Sequence, residues 1–257
     1  MIELQITDDI AEVVLNAPER RNAVDASALR EIADALTAAE QAGVRALVLR
    51  GEGKAFCAGR DISQVDPRTD DAAGFMRGVL QPVLEQLAAF PAPTFAAAHG
   101  ACLGIGLGLL IATDVVYVAE SAKLGSPFAA LGATLDSGGH ALFFERLGAH
   151  RAFDLIYSGR LMSGSEAVAA GLFSQAFPDD EVLAATRAAA AHAAQGPTLA
   201  FRATKRIMQG LRDERQGLWQ SFAAENDAQI ALAQTADFRE GFAAFQQKRT
   251  PDFTGRA

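Results

Sequence analysis

Hydrophobic and polar positions alternate through "IELQIT" and "IAEVVLN" at the start of the chain, with "DD" between them. A period of two marks half-buried strands, so the opening reads as two short strands turned back on each other. The period then lengthens. In "APERRNAVDASALREIADALTAAEQAG", Leu29, Ile32, Ala33 and Leu36 fall on one helical face; Asp25 or Ser27 can cap the start, and Gly43 closes it. "VRALVLRG" is a continuous apolar run, as expected of a buried strand. A second helix is expected from about Ala72 to Phe90, interrupted by Pro82. The unit then recurs, with "PTFAAAHG" as strand, "ACLGIGLGLLIAT" as turn and helix, "DVVYVAE" as strand and "AKLGSPF" as a short extended piece.

Strands alternating with helices over short connections predict an α/β fold in which the chain returns repeatedly to a shared sheet. Beyond Gly139 helices dominate: "HALFFERLG" and "HRAFDLIYSG" are amphipathic, and "SGSEAVAAGL" opens with a capping box from Ser163 to Glu166 and ends at Gly171. After a short strand in "FSQAFPDD" come four helical stretches, with breakers at Gly196-Pro197 and Gly210. This places a boundary near residue 196, between a body at 1–195 and a helical region at 196–257. An apolar-faced region of that length is expected to pack against a neighbouring copy.

Composition narrows the function. No stretch approaches the roughly 20 apolar residues of a membrane span, and the first residues lack a secretion-signal pattern, so a cytoplasmic protein without a membrane partner is expected. The net charge of −8 argues against nucleic acid as a partner. Cys57 and Cys102, far apart and without ligand spacing, predict neither a disulfide framework nor a metal site. An anionic ligand would need a local basic patch.

The glycines of "GIGLG" at 104–108 have the wrong spacing for a dinucleotide fingerprint, and no acidic residue ends a strand about 20 residues later. Together with "FCAGRD", they instead make two small-residue turns that each follow a strand. Two backbone donors converging on one oxygen would form an oxyanion hole. No nucleophile and base pair stands out: Ser126 in "LGSPF" lacks the second glycine of a nucleophile elbow. One carboxylate is conspicuous, Asp136 in "LGATLDSGGH", set among small and apolar residues before a helix. It is either a helix cap or a proton-transfer group.

The motifs "ERRNAVD", "FCAGRDIS", "HGACLGIGLGLLIATDVVYVAESAKLGSPFAALG", "SGRLMSGSEAVAAGLFSQ" and "FAAFQQKRTPDF", in that order, resemble the enoyl-CoA hydratase/isomerase (crotonase) superfamily across nearly the whole chain. The resemblance implies a spiral of ββα units with a C-terminal helical trimerisation region, forming a homotrimer or a hexamer built as a dimer of trimers. It implies the amides of Ala58 and Ile105 as oxyanion donors to an acyl-CoA thioester, with coenzyme A entering as part of the substrate and no separate cofactor or metal. It places the coenzyme A site on Arg20, Arg21, Ala23, Lys54, Gly59, Arg60, Asp61 and Ile62, joined by Phe245 and Lys248, often from a neighbouring subunit. Phe128, Val65, Phe75, Met76 and Val79 are the expected pocket lining.

The superfamily's hydratases carry two glutamates where this chain has Gly108 and Phe128. Hydration needs a base for the water and an acid for carbon, so losing both should remove efficient hydration. "LDSGG" is similar to the segment carrying the single acid of ring 1,2-epoxyphenylacetyl-CoA isomerases. One carboxylate suffices to move a proton from C2 to C4 of an enolate, so the expected activity is double-bond or epoxide isomerisation of an acyl-CoA, in fatty acid or phenylacetate catabolism. At Asp136 a helix terminus and an apolar lining would pull the pKa in opposite directions. The alternatives are an enoyl-CoA hydratase, an aryl-CoA dehalogenase with Asp136 as nucleophile, and a non-catalytic acyl-CoA binding subunit. The dehalogenases have Trp at the place of Phe128 and a histidine that the segment "DAAGFMRGVLQPVLEQLAAF" lacks.

Overall fold

The computed structural model describes residues 1–63, 65–66 and 68–255; the last two positions of the 196–257 region lie outside it. Strands β1 (Ile2–Thr7) and β2 (Ile10–Leu15) pair antiparallel from Ile2↔Leu15 to Thr7↔Ile10. Asp8 and Asp9 between them both adopt left-handed backbone, φ 51° and 61°, the geometry that matches a tight hairpin to the twist of its strands. Helix α1 (Ala26–Gln41) is capped by Asp25, whose carboxylate accepts the Ala28 N–H at 2.8 Å. Its Leu29, Ile32 and Leu36 are buried, while Ala33 is half-buried. Removing such a side chain from water contributes about 1.5–3 kcal/mol.

From there the chain winds as a spiral. β3 (Ala46–Gly51), β4 (Thr94–Ala98), β6 (Val115–Ala119) and β9 (Gln175–Phe177) extend β2 in parallel, giving the order β1-β2-β3-β4-β6-β9. A second layer holds β5 (Ala101–Leu103), β7 (Lys123–Gly125) and β8 (Met162–Ser163). Single parallel bridges, Val24↔Arg60 and Cys57↔Cys102, carry this layer back to the earlier turns. Each turn of the spiral thus gives one strand to the large sheet and a shorter extended piece to the small one.

Three details depart from the sequence reading. Residues 101–103 form a strand rather than a turn, because Gly100 (φ +55°), pressed against the Lys54 carbonyl, bends the chain out of the large sheet. The second helix passes through a π-turn at Met76–Leu80, between α2 (Ala72–Phe75) and α3 (Gln81–Ala88), with helical backbone at both junctions, so Pro82 at the start of α3 does not interrupt it. Gly210 does not break a helix; it lies within α9 (Thr198–Asp213), and the Gln216 side chain fills the space its missing Cβ leaves.

α4 (Ile105–Ile111) follows β5 directly, and α5 (Gly139–Leu147) packs against it. After α6 (Ala149–Ser158), helix α7 (Gly164–Ala169) opens with the expected box: Ser163 Oγ accepts the Glu166 N–H, and Glu166 accepts the Ser163 N–H. α8 (Val182–Ala194) covers the face of the large sheet opposite α1, so β3 and β4 are buried on both sides. α9 is tied to the body by Lys205 Nζ, 2.9 Å from Asp114 Oδ2, and by Gln209 donating to the Ala88 carbonyl. α10 (Leu218–Leu232) and α11 (Ala236–Gln247) complete the chain and leave Trp219 77% and Phe245 85% exposed. Among the described residues no helix is long and apolar enough to cross a membrane.

Candidate active site

The site forms where the two glycine-rich turns meet. Phe56 and Cys57 run alongside residues 99–103, with Cys57 N–H bonded to Ala101 O and Leu103 N–H to Cys57 O, both at 2.9 Å. The turns that follow therefore abut. Gly59 (φ +100°) lies so close to β5 that a Cβ there would stand 3.0 Å from the Leu103 carbonyl oxygen. Gly104 (φ +52°) supports the Phe128 ring, which a Cβ would meet at 3.1 Å.

The amides of these turns depart from expectation at Ala58. The Ala58 N–H donates to Arg21 O at 3.0 Å and is not free for a ligand. Gly59 N–H points to Cys57 Sγ at 3.5 Å, Asp61 N–H bonds Val24 O at 2.8 Å, and Gly104 N–H bonds Gly125 O at 3.1 Å. Among the described residues the amides of Arg60 and Ile105 have no acceptor. Ile105 is the first residue of α4, where helical geometry supplies none. The free Arg60 amide was not expected from the sequence, since only the pairing of this turn with Val24 and Arg21 shows which N–H is left over.

Asp136 does not cap α5. The N-cap is Gly138, no side chain caps the helix, and Asp136 contributes only its main-chain carbonyl, to Gly139 N–H. Its carboxylate is half-buried, and Oδ1 accepts a 2.7 Å hydrogen bond from Ser137 Oγ. Ser137 lies over Gly108, one turn along α4 from Ile105. Burial pushes the Asp136 pKa above the usual carboxylate range; the Ser137 hydroxyl and the Arg60 guanidinium oppose it without cancelling it. A third opposing pull comes from the main-chain N–H of Asp136 itself.

The basic residues divide. Arg60 is bound bidentately by Asp70 at 2.6 and 2.9 Å and stacks on the Phe75 ring, 3.9 Å from its centroid. Arg20 is paired with Asp61 at 3.3 Å, and Asp61, also bonded by Ser63, is held below its usual pKa. Arg21 and Lys54 are exposed and form no ion pair among the described residues. Ala23 is half-buried and Ile62 exposed. Phe75 is buried beneath Arg60, while Val65, Met76, Val79 and Phe128 are half-buried. Phe245 lines an apolar groove of about 430 Å³ with Leu199, Leu232, Phe238, Phe242 and Phe253 on the helical region, and Lys248 ends α11. No described hydrogen bond or ion pair joins either residue to the Arg20–Ile62 region within one chain. Both cysteines are fully buried, with the Cys57 thiol pushed up to about 12, which leaves no thiolate for catalysis. No cluster of three or more potential metal ligands occurs among the described residues.

The enoyl-CoA hydratase/isomerase family model matches residues 5–256. The chain belongs to the enoyl-CoA hydratase/isomerase family. Its backbone is that of the crotonase fold: a solved structure from Mycobacterium abscessus described as a "putative Enoyl-CoA hydratase/isomerase" superposes with a TM-score of 0.92 at 32% identity, covering 100% of both chains. A Rhodobacter capsulatus protein named "Probable enoyl-CoA hydratase" is 36% identical over 99% of this chain and 98% of its own length. The "1,2-epoxyphenylacetyl-CoA isomerase" of Escherichia coli is 34% identical over 96% of this chain and 95% of its own. The names of the relatives thus divide between the family's two activities, and the residues at the site must separate them.

Proposed function

We propose that this family member is an acyl-CoA isomerase, acting on β,γ-enoyl thioesters or on an aromatic-derived epoxide, with Asp136 as its proton shuttle. The observation that carries the reading is the half-buried Asp136 carboxylate, bonded by Ser137, which itself lies over Gly108 one turn along α4 from the Ile105 amide, with phenylalanine at 128. In this reading the thioester oxygen accepts hydrogen bonds from the Arg60 and Ile105 amides, each worth about 3–4 kcal/mol as negative charge develops on it. Asp136 takes the proton from C2, the electron pair moves to give a dienolate, and the same proton is returned to C4 as the double bond shifts to C2–C3. Atoms and charge balance without water, metal or a redox partner. The shuttle works from the ionised carboxylate, so activity rises as pH passes through its elevated pKa.

Arg21 and Lys54, exposed and without ion pairs among the described residues, supply the positive charge for the phosphates of coenzyme A, while Arg20 and Arg60 reach them only by leaving Asp61 and Asp70. The exposed apolar groove on α9–α11 supports assembly into a homotrimer or hexamer, in which Phe245 and Lys248 would complete a neighbour's coenzyme A site. Sedimentation analysis tests the assembly. A hydratase reading is favoured by the name of the Rhodobacter relative. Incubation with 3-enoyl-CoA and with 2-enoyl-CoA separates the two: double-bond migration supports the isomerase, and rapid water addition by the wild type sinks it.

A further inference from the structure

We infer that Ser137 is the positioning residue of Asp136 and that Gly108 is its steric complement, so that the pair commits this site to a single-acid design. The inference rests on the reading above only for the role of Asp136. Ser137 adopts φ +55°, a left-handed conformation that residues other than glycine, asparagine and aspartate seldom hold. That conformation does two things at once. It turns Oγ onto Asp136 Oδ1 at 2.7 Å, and it seats Cβ in the hollow above α4 where Gly108 has no side chain. A Cβ at 108 would be driven into the Ser137 Cβ and stand 3.1 Å from both the Ser137 carbonyl oxygen and Oγ. A side chain at 108 therefore displaces Ser137, and with it the acid. Glutamate cannot be restored at 108 without also changing 137, so the absent carboxylate is built into the packing.

The surroundings leave Ser137 this task. α4 offers no titratable side chain between Ile105 and Ile111, and the 3-10 turn Phe128–Leu131 offers none. On α5, His140 is engaged with Thr134 Oγ1 at 3.3 Å. Arg60 is the charged group felt from the neighbouring turn, and Asp70 already neutralises it.

Carbon-13 carboxyl labelling follows the Asp136 titration directly in the intact protein, with Asp136→Asn to assign the resonance. Ser137→Gly, which relieves the left-handed strain while removing the hydroxyl, is expected to raise the titration midpoint. It should lower kcat on 3-enoyl-CoA roughly tenfold to a hundredfold, as expected for losing a hydrogen bond to a charged group, with KM nearly unchanged. Thermal unfolding tests the complement: Gly108→Ala should destabilise the wild type more than it does the Ser137→Gly background. An unchanged midpoint, or an equal cost of Gly108→Ala in both backgrounds, overturns the inference. If the wild type isomerises no thioester, the functional reading falls, while titration and unfolding still decide this one.

Discussion

Asp136→Asn removes a charge and leaves the shape. The amide oxygen of asparagine can still accept from Ser137 Oγ, and the half-buried volume is unchanged, so the loop before α5 keeps its place. What disappears is the base. Positioned general bases contribute about 10²–10⁴ in rate, or about 3–5 kcal/mol at 1.36 kcal/mol per tenfold. kcat for conversion of 3-enoyl-CoA to the conjugated thioester, followed by ultraviolet absorbance, should fall by that factor. KM should hold, since the Arg60 and Ile105 amides are untouched.

The same substitution makes a second, opposite prediction. Burial raises the Asp136 pKa in the folded chain above its unfolded value, so the folded state holds the proton more tightly. Between the two values stability falls as pH rises, and above the folded pKa a constant penalty for the buried charge remains. Asp136→Asn escapes it: the variant should match the wild type below the ordinary carboxylate range, gain on it as pH rises through the elevated pKa, and stay more heat-stable above. A variant that retains a third of wild-type kcat refutes the shuttle. One whose stability advantage appears only in acid refutes the buried-charge account.

Gly59→Ala places a Cβ at φ +100° and 3.0 Å from the Leu103 carbonyl oxygen; a loss of about 1–3 kcal/mol in urea unfolding is expected, with a lowered kcat as the Arg60 amide is displaced. At the tether of α9, Asp114→Asn should destabilise by about 2 kcal/mol, a value reduced from the fully buried range because Asp114 is partly exposed, whereas Lys205→Met should stay within about 1 kcal/mol. Burial depresses the Lys205 pKa, so the Asp114→Asn deficit should shrink as the pH is raised and the amine deprotonates. Removing Arg21 and Lys54 together should raise KM for a coenzyme A thioester roughly threefold to tenfold at low ionic strength, with kcat unchanged and the effect fading in salt.

What the sequence discloses and what it withholds follow from the range of the interactions involved. The hairpin, α1 with its Asp25 cap and the Ser163 capping box are decided by residues three or four apart, and their patterns can be read directly. The bend at Gly100 is also glycine chemistry, but its cause is the Lys54 carbonyl 46 positions away, and so 101–103 read as a turn. The free amides show the limit most clearly. "FCAGRD" marks a tight turn, yet which of its amides is free depends on Arg21 and Val24, brought alongside by the first turn of the spiral. Those two carbonyls take Ala58 and Asp61, the Cys57 sulfur takes Gly59, and the remaining donor is Arg60. At Asp136 the local sequence allowed a cap or an acid. The structure excludes the cap, because Gly138, at φ +87° beside Ile111, occupies that position and the carboxylate is bonded by Ser137 instead. A carboxylate denied its cap yet kept half-buried retains a desolvation penalty that the fold does not relieve, and proton transfer is the function for which a raised pKa is an advantage.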